Sequence, residues 1–232
     1  LLLKKMTEYS STPIFIQPNA GLPVSVNGET VYNVTPEEFA EKQLKILENG
    51  ACALGGCCGT NPMHIKAMID LCKGREVKEI SKKNYTAVSS YSKSVFFEDK
   101  PIIVGERINP TGKKLLKEAL RNNDLDYIFS EGVGQVDLGA DVLDVNVGLP
   151  EIDEIQMMTN AVTGLQSILN TPLQIDTSDP VAMEAALRRY NGKAMINSVN
   201  GKEESLKAVL PLVKKYGGVV VALTLDENGI PD

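Results

Sequence analysis

Short apolar runs alternate along this chain with longer stretches in which apolar residues recur every three or four positions. Ile14-Phe15-Ile16-Gln17, closed by Pro18-Asn19-Ala20-Gly21, predicts a buried strand and a loop. Thr35-Pro36-Glu37-Glu38 predicts a helix start, with Thr35 as cap, Pro36 in the first turn and Glu38 completing a capping box. Phe39, Ala40, Leu44 and Leu47 then share one face, and Asn49-Gly50 stops the helix. Ala51 to Leu54 is a second short strand before Gly55-Gly56. Asn61-Pro62 starts another helix, with Ile65, Met68, Ile69 and Cys72 expected on its buried face.

From Lys73 to Lys100 the periodicity fails, and lysines fall among Ser, Asn and Tyr. Long structureless loops inside one domain are uncommon, so residues 74–100 read as a linker. A regular alternation follows. Strands are expected at Ile102–Val104, Val142–Val145, Leu173–Ile175, Ala194–Ile196 and Val219–Leu223. Helices are expected at Leu125–Leu138, Ile152–Leu169, Pro180–Tyr190 and Glu203–Tyr216, the last kinked at Pro211. Alternating strands and helices imply α/β architecture with parallel sheets and right-handed crossovers. This spacing favours a (β/α)₈ barrel of the TIM type. A full barrel needs roughly 250 residues. The reading is therefore of two consecutive barrels, each only partly present: residues 1–73, the linker 74–100, and residues 101–232. The chain opens Leu1-Leu2-Leu3-Lys4-Lys5 without Met and stops at Asp232 after a strand-like run, so both ends are expected to be cuts through a larger protein.

Composition narrows the function. The 232 residues carry a formal net charge of −6 and are 43% apolar, which disfavours disorder and a nucleic-acid module. No apolar run reaches the roughly 20 residues of a membrane span, and no secretory signal is evident. The four cysteines, Cys52, Cys57, Cys58 and Cys72, are too few for a disulfide scaffold, so a reduced, cytoplasmic thiol set is expected.

In a barrel of this kind, chemistry sits at the carboxyl ends of the strands. Those ends read Gly105-Glu106-Arg107-Ile108-Asn109-Pro110, Asp144-Val145-Asn146, Asp176-Thr177-Ser178 and Asn197-Ser198-Val199-Asn200. Asn and Asp also cap helices and start turns. Four strand ends converging on one mouth instead suit a flat, neutral heterocycle with several N–H and C=O groups. Arg107 and Lys113 are the only cationic candidates for a phosphate clamp there. In the first segment, Gly55-Gly56-Cys57-Cys58-Gly59-Thr60 follows a strand, and two adjacent thiols suit a thiophilic metal. Zinc takes four ligands, with one left open for substrate in catalytic sites, so a further protein ligand is needed. Cys52 lies about 16 Å back along a strand at about 3.3 Å per residue. Cys72 reads as helix packing, and His64 as an exposed structural residue at a helix start.

The motifs carry a resemblance. Pro18-Asn19-Ala20-Gly21-Leu22-Pro23 followed by Gly55-Gly56-Cys57-Cys58-Gly59-Thr60 resembles the end of a homocysteine S-methyltransferase domain. Gly105-Glu106-Arg107-Ile108-Asn109-Pro110-Thr111-Gly112 resembles the start of a pterin-binding domain. In this order the two resemble the cobalamin-dependent methionine synthases, over nearly the whole chain. The resemblance implies that Cys57 and Cys58 are two of three zinc thiolates, the third lying upstream of this chain, and that zinc activates the homocysteine sulfur. It implies that Glu106, Asn109, Asp144, Asn146, Asp176 and Asn197 surround the pterin of 5-methyltetrahydrofolate, with Asp176 and Asn197 in the catalytic network near N5. It further implies cobalamin as methyl carrier, held by a corrinoid domain outside this chain. The parent is expected to be an active methyltransferase and the isolated chain inactive. Rival readings are another corrinoid-linked pterin methyltransferase, a pteroate-forming synthase, and a truncated folate-binding scaffold.

Overall fold

The computed structural model of the chain describes residues 2–98 and 100–230. Two units separate at Asn84 and Tyr85. The first runs α1 (Leu2–Tyr9), β1 (Phe15–Ile16), β2 (Val24–Val26), β3 (Glu29–Val31), α2 (Pro36–Glu48), β4 (Ala53–Leu54) and α3 (Pro62–Cys72). β1 and β4 pair in parallel, with Phe15 opposite Ala53. Thr35 and Glu38 form the expected capping box, and α2 buries Phe39, Ala40, Gln43 and Leu47.

Three features of this unit depart from the sequence pattern. α1 was not anticipated. Neither was the β2–β3 hairpin, whose turn residues Asn27 and Gly28 both take positive φ, as a two-residue Asn-Gly turn requires. In α3 the buried stripe is rotated. His64 and Met68 face inward, whereas Ile69 is 50% exposed. His64 is thus buried rather than exposed. Its Nδ1 pairs with Asn61 Oδ1 at 2.9 Å and its Nε2 with the Val34 carbonyl oxygen at 2.9 Å, which makes the inward position satisfiable for a polar ring.

The second unit runs β5 (Ala87–Ser89), β6 (Ser94–Phe96), β7 (Val104–Ile108), α4 (Lys114–Arg121), α5 (Leu125–Asp137), β8 (Val142–Val145), α6 (Glu154–Ile168), β9 (Leu173–Asp176), α7 (Pro180–Arg189), β10 (Met195–Asn200), α8 (Glu203–Tyr216) and β11 (Val219–Leu223). The last five strands form one parallel sheet in the order β11-β10-β9-β8-β7, so neighbours in sequence are neighbours in space. The fold class is therefore mixed α/β with a five-stranded parallel sheet. Its core lies between sheet and helices, where Leu143, Val145, Leu173, Ile175 and Ile196 pack with Met158, Leu165 and Met183.

Residues 74–100, read from the sequence as a linker, include the β5–β6 hairpin. Val88 and Val95 are buried against Val142, with Val104, Met195 and Val219 around them. These are the first residues of four sheet strands, so the hairpin closes the amino end of the sheet. Tyr190 fastens it, donating its hydroxyl proton to the Ser89 carbonyl at 2.9 Å and accepting from the Leu173 N–H at 3.0 Å. The amphipathic α4 was also not anticipated, and it buries Leu116, Ala119 and Leu120. α8 continues through Pro211.

Strand bounds shift where polar residues gather. β7 begins at Val104, where the expected strand ends, and β10 reaches Asn200. Glu106 and Asn197 therefore sit within strands rather than after them. Each strand also has an irregular register at that place, between Gly105 and Ile108 and between Asn197 and Val199. Such irregularities re-aim side chains at sheet ends and near active sites.

Candidate functional site

On the sheet of the second unit, period-two alternation explains the polar cluster. Asp144 and Asn146 share one face of their strand, and Gln174 and Asp176 share the same face of the next, while Val145 and Ile175 face the helices. Asp144 is 1% exposed. Its Oδ1 accepts a hydrogen bond from Gln174 Nε2, and its Oδ2 has no partner among the described residues. Burial, opposed by the Gln174 bond and reinforced by the charges of Asp176 and Glu106, pushes the Asp144 carboxyl up to about 7.

Asn146 donates from Nδ2 to Asp176 Oδ2 at 2.9 Å, and its Oδ1 accepts from the Gly148 N–H at 2.9 Å. Burial raises the Asp176 carboxyl, Asn146 and Asp144 counteract that rise, and the Glu106 charge adds to it. Asn197 lies in register with Asp176 on the neighbouring strand. Asp144, Asn146, Asp176 and Asn197 are thus brought together across three strands. Glu106 acts on this group through its charge. Its own partner is Lys113, whose Nζ lies 3.4 Å from Oε2 and 2.8 Å from the Glu106 carbonyl.

Asn109 does not join the cluster through any hydrogen bond seen here. Its Oδ1 accepts from the Thr111 N–H at 2.9 Å, closing a local turn. Arg107 points elsewhere, with Nε 2.8 Å from Glu131 Oε2.

Two open cavities adjoin these residues. One of about 650 Å³ is lined by Asn146, Leu149, Glu154, Thr177 and Asp179 among others. The other, of about 390 Å³, is lined by Asp176, Asn197, Ser198, Asn200 and Lys202 among others. Thr177 and Ser178 border both. The buried Thr177 hydroxyl donates to Glu154 Oε1 and accepts from the Asp179 N–H at 3.0 Å. Gln174 and Glu154 were not singled out from the sequence. Gln174 was findable, because it stands two residues before Asp176 on a strand with apolar neighbours.

In the first unit, Cys57 and Cys58 follow β4, both exposed, with their sulfurs 3.9 Å apart. The preceding loop holds them. The Cys57 N–H donates to the Pro18 carbonyl at 3.0 Å, and the Cys58 N–H donates to Asn19 Oδ1 at 3.2 Å. Fully buried Gln43 reaches across from α2, donating to the Gly55 carbonyl at 2.6 Å. Two thiolates on one tetrahedral zinc, each bonded at about 2.3 Å, sit roughly 3.8 Å apart. The Cys57–Cys58 pair fits two corners of such a site. Among the described residues no group of three or more His, Cys, Asp or Glu could hold a metal, so the remaining donors are not found here. Cys52 lines a separate small cavity with Thr7, Asn49 and Ile80. Cys72 is partly buried against the Phe39–Met68 cluster, as expected for packing.

The profile of the pterin binding enzyme family matches residues 105–230, more than half of the chain. The chain belongs to the pterin binding enzyme family. The family's segment coincides with the five-stranded sheet and its polar face. Residues 1–72 match a second profile, homocysteine S-methyltransferase. The resemblance read from the motifs therefore holds in both halves and in their order. The methionine synthase of Mycobacterium leprae (strain TN) is 32% identical over 241 aligned positions, covering 98% of this chain and 20% of that protein. The methionine synthase of Mycobacterium tuberculosis (strain ATCC 25618 / H37Rv) is likewise 32% identical, over 235 positions and the same shares. The chain thus spans about a fifth of the length of the curated relatives it matches. Among the described residues no helix is long and apolar enough to cross a membrane.

Proposed function

We propose that this chain is the segment of a cytoplasmic methionine synthase in which a homocysteine-activating barrel (residues 1–73) passes through a linker (74–100) into a pterin-binding barrel (101–232). The parent would move the methyl group of 5-methyltetrahydrofolate, by way of cobalamin on a corrinoid domain, to homocysteine. The observation that carries the reading is the Asn146–Asp176 hydrogen bond, set in a face of carboxylates and carboxamides at the carboxyl ends of parallel strands. Its support is the agreement of that chemistry with the family profile over the same residues.

The roles follow from the groups. A pterin presents N–H donors along one edge and ring nitrogens beside them. Asp176 would accept from those donors, its carboxylate held in place by Asn146. Burial raises the Asp144 carboxyl to about 7, so it is far more readily protonated near neutral pH than an ordinary aspartate. A methyl group leaves N5 poorly from a neutral amine, and a proton shared with N5 improves the leaving group. Asn197, in register with Asp176, would orient that proton. Glu106 and Asn109 would border the ring from the first strand.

In the other unit, Cys57 and Cys58 would provide two of the zinc ligands, with the Pro18–Asn19 loop fixing their backbone. Zinc, when bound, supplies the Lewis acidity that keeps a substrate thiol ionised at neutral pH.

The test separates the two halves in the parent enzyme. Asp176→Ala should abolish methyl transfer from the folate and leave transfer to homocysteine within about twofold of wild type. Cys57→Ser should do the reverse. Equal damage to both half-reactions by either substitution would contradict the assignment.

A further inference from the structure

Between β8 and β9 the polar face carries two rungs, and their chemistry is crossed. Asp144 stands opposite Gln174 in the strand register, and Val145 opposite Ile175. The next rung joins Asn146 to Asp176. In the inner rung the acid lies on β8 and the amide on β9, and in the outer rung the two are exchanged. Each carboxyl therefore has a carboxamide of its own. Gln174 Nε2 donates to Asp144 Oδ1, and Asn146 Nδ2 donates to Asp176 Oδ2. The inner rung is closed to solvent, with Asp144 1% and Gln174 7% exposed. Asp144 Oδ2 has no partner among the described residues, so the Gln174 amide is the donor they supply to this carboxyl.

We propose that Gln174 is a positioning residue for the folate site, pinning Asp144 in the inner rung so that the Asp176 carboxylate stays free for the ligand. The proposal rests on the reading of Asp176 as the carboxylate that meets the pterin. A buried carboxylate that loses its donor takes up a proton instead, because burial penalises the bare charge. Burial already pushes Asp144 up to about 7; the Gln174 bond opposes that rise, and the charges of Asp176 and of Glu106 on β7 add to it. Glu106 is itself paired with Lys113. Asp176 lies two residues beyond Gln174 on the same face, roughly 6.6 Å along the strand at about 3.3 Å per residue. That places it diagonally opposite Asp144, within reach of a side-chain contact. A carboxylic O–H at Asp144 would then donate to Asp176 and occupy the acceptor that the N–H donors of a pterin need. Gln174 acts through Asp144 and touches no ligand itself.

Gln174→Met tests this on the 232-residue chain, because the unbranched side chain keeps the length and removes the donor. Two quantities are read. The Asp144 carboxyl carbon, assigned by its loss in Asp144→Asn, is titrated by NMR, and the affinity for 5-methyltetrahydrofolate is measured at pH 7.5. Gln174→Met should raise the Asp144 midpoint by about one pH unit and weaken the folate about tenfold, as loss of a hydrogen bond to a charged group does. Tyr190→Phe is the control for stability alone. It loosens the amino end of the same sheet and should change folate affinity by less than about twofold. An unmoved midpoint in Gln174→Met would overturn the proposal. So would a raised midpoint with unchanged folate affinity, which would leave Gln174 to the fold. An equal loss of affinity in Tyr190→Phe would assign the effect to stability and overturn it too. If wild type binds no folate while the midpoint still rises in Gln174→Met, the pterin reading itself fails. The role of Gln174 falls with it, and only its bond to Asp144 survives.

Discussion

Asn146 Nδ2 lies 2.9 Å from Asp176 Oδ2, joining the carboxyl ends of two adjacent parallel strands. This bond spends one side of the Asn146 amide on Asp176 while the other side accepts from the Gly148 N–H. One Nδ2 proton and one Oδ1 lone pair of Asn146 are committed in this way. Under the proposed function, Asn146 would hold the Asp176 carboxylate that meets the pterin.

Asn146→Ala should therefore raise the Asp176 carboxyl further and weaken its hold on a pterin. A hydrogen bond to a charged group is worth about 1.5–3 kcal/mol, or roughly ten- to a hundredfold in affinity. Equilibrium titration with tetrahydrofolate at pH 7.5 measures it. Asn146→Asp, which adds a fourth carboxylate to the cluster, should be at least as damaging.

Asp144 sets a pH dependence of stability. Its carboxyl rises from 3.8 in the unfolded chain to about 7 in the fold, chiefly by burial. Between those values the folded state binds more protons than the unfolded state, so this residue's contribution falls as pH rises, by at most about 1.4 kcal/mol per pH unit. Asp144→Asn removes the titration. Relative to wild type, the variant should gain stability in urea between pH 5 and pH 7.5. An unchanged difference across that range would contradict the shift.

Tyr190→Phe should destabilise the second unit by about 1–3 kcal/mol, because it leaves the Leu173 N–H without its partner and removes one of two donors from the Ser89 carbonyl, which keeps the Lys193 N–H. Urea unfolding followed by circular dichroism checks it. Slower amide exchange at Ser89 in the variant than in wild type would count against the tether.

Gly192→Ala brings a Cβ into the Ser89 carbonyl, which is backbone and has little room to move. The cost should be about 1–3 kcal/mol, the usual range for overpacking. The same unfolding measurement applies. Gly139→Ala, with nothing within 4 Å of the new Cβ, separates the steric cost from that of a positive φ.

Much of this structure was legible in the sequence, and the misses share causes. The parallel strands and their helices followed from alternation, and Thr35, Asp179 and Asn61 cap helices where their residue types predict. The β5–β6 hairpin was missed because its two inward residues, Val88 and Val95, sit among Ser, Lys and Tyr. So short a signal falls below any periodic pattern. The β2–β3 hairpin carried Asn27-Gly28, a turn signal that stood without long apolar flanks. The strands at Glu106 and Asn197 run past their expected ends because polar residues read as loop, whereas here they belong to the polar face of the sheet that forms the candidate site. For the cluster itself, Asp144, Asn146, Asp176 and Asn197 were named from strand ends. Gln174 required the period-two face to be followed one step inward. The distance between Asn146 and Asp176 depends on strand register, which sequence alone leaves open.

The most direct test of the central claim is calorimetric titration of the 232-residue chain with 5-methyltetrahydrofolate, beside p-aminobenzoylglutamate, which lacks the pterin. The account predicts saturable binding of the folate, at least tenfold weaker in Asp176→Ala, and no comparable binding of the pterin-free compound. Equal binding of both compounds, or folate binding indifferent to Asp176→Ala, would contradict recognition of the pterin by this face of the sheet.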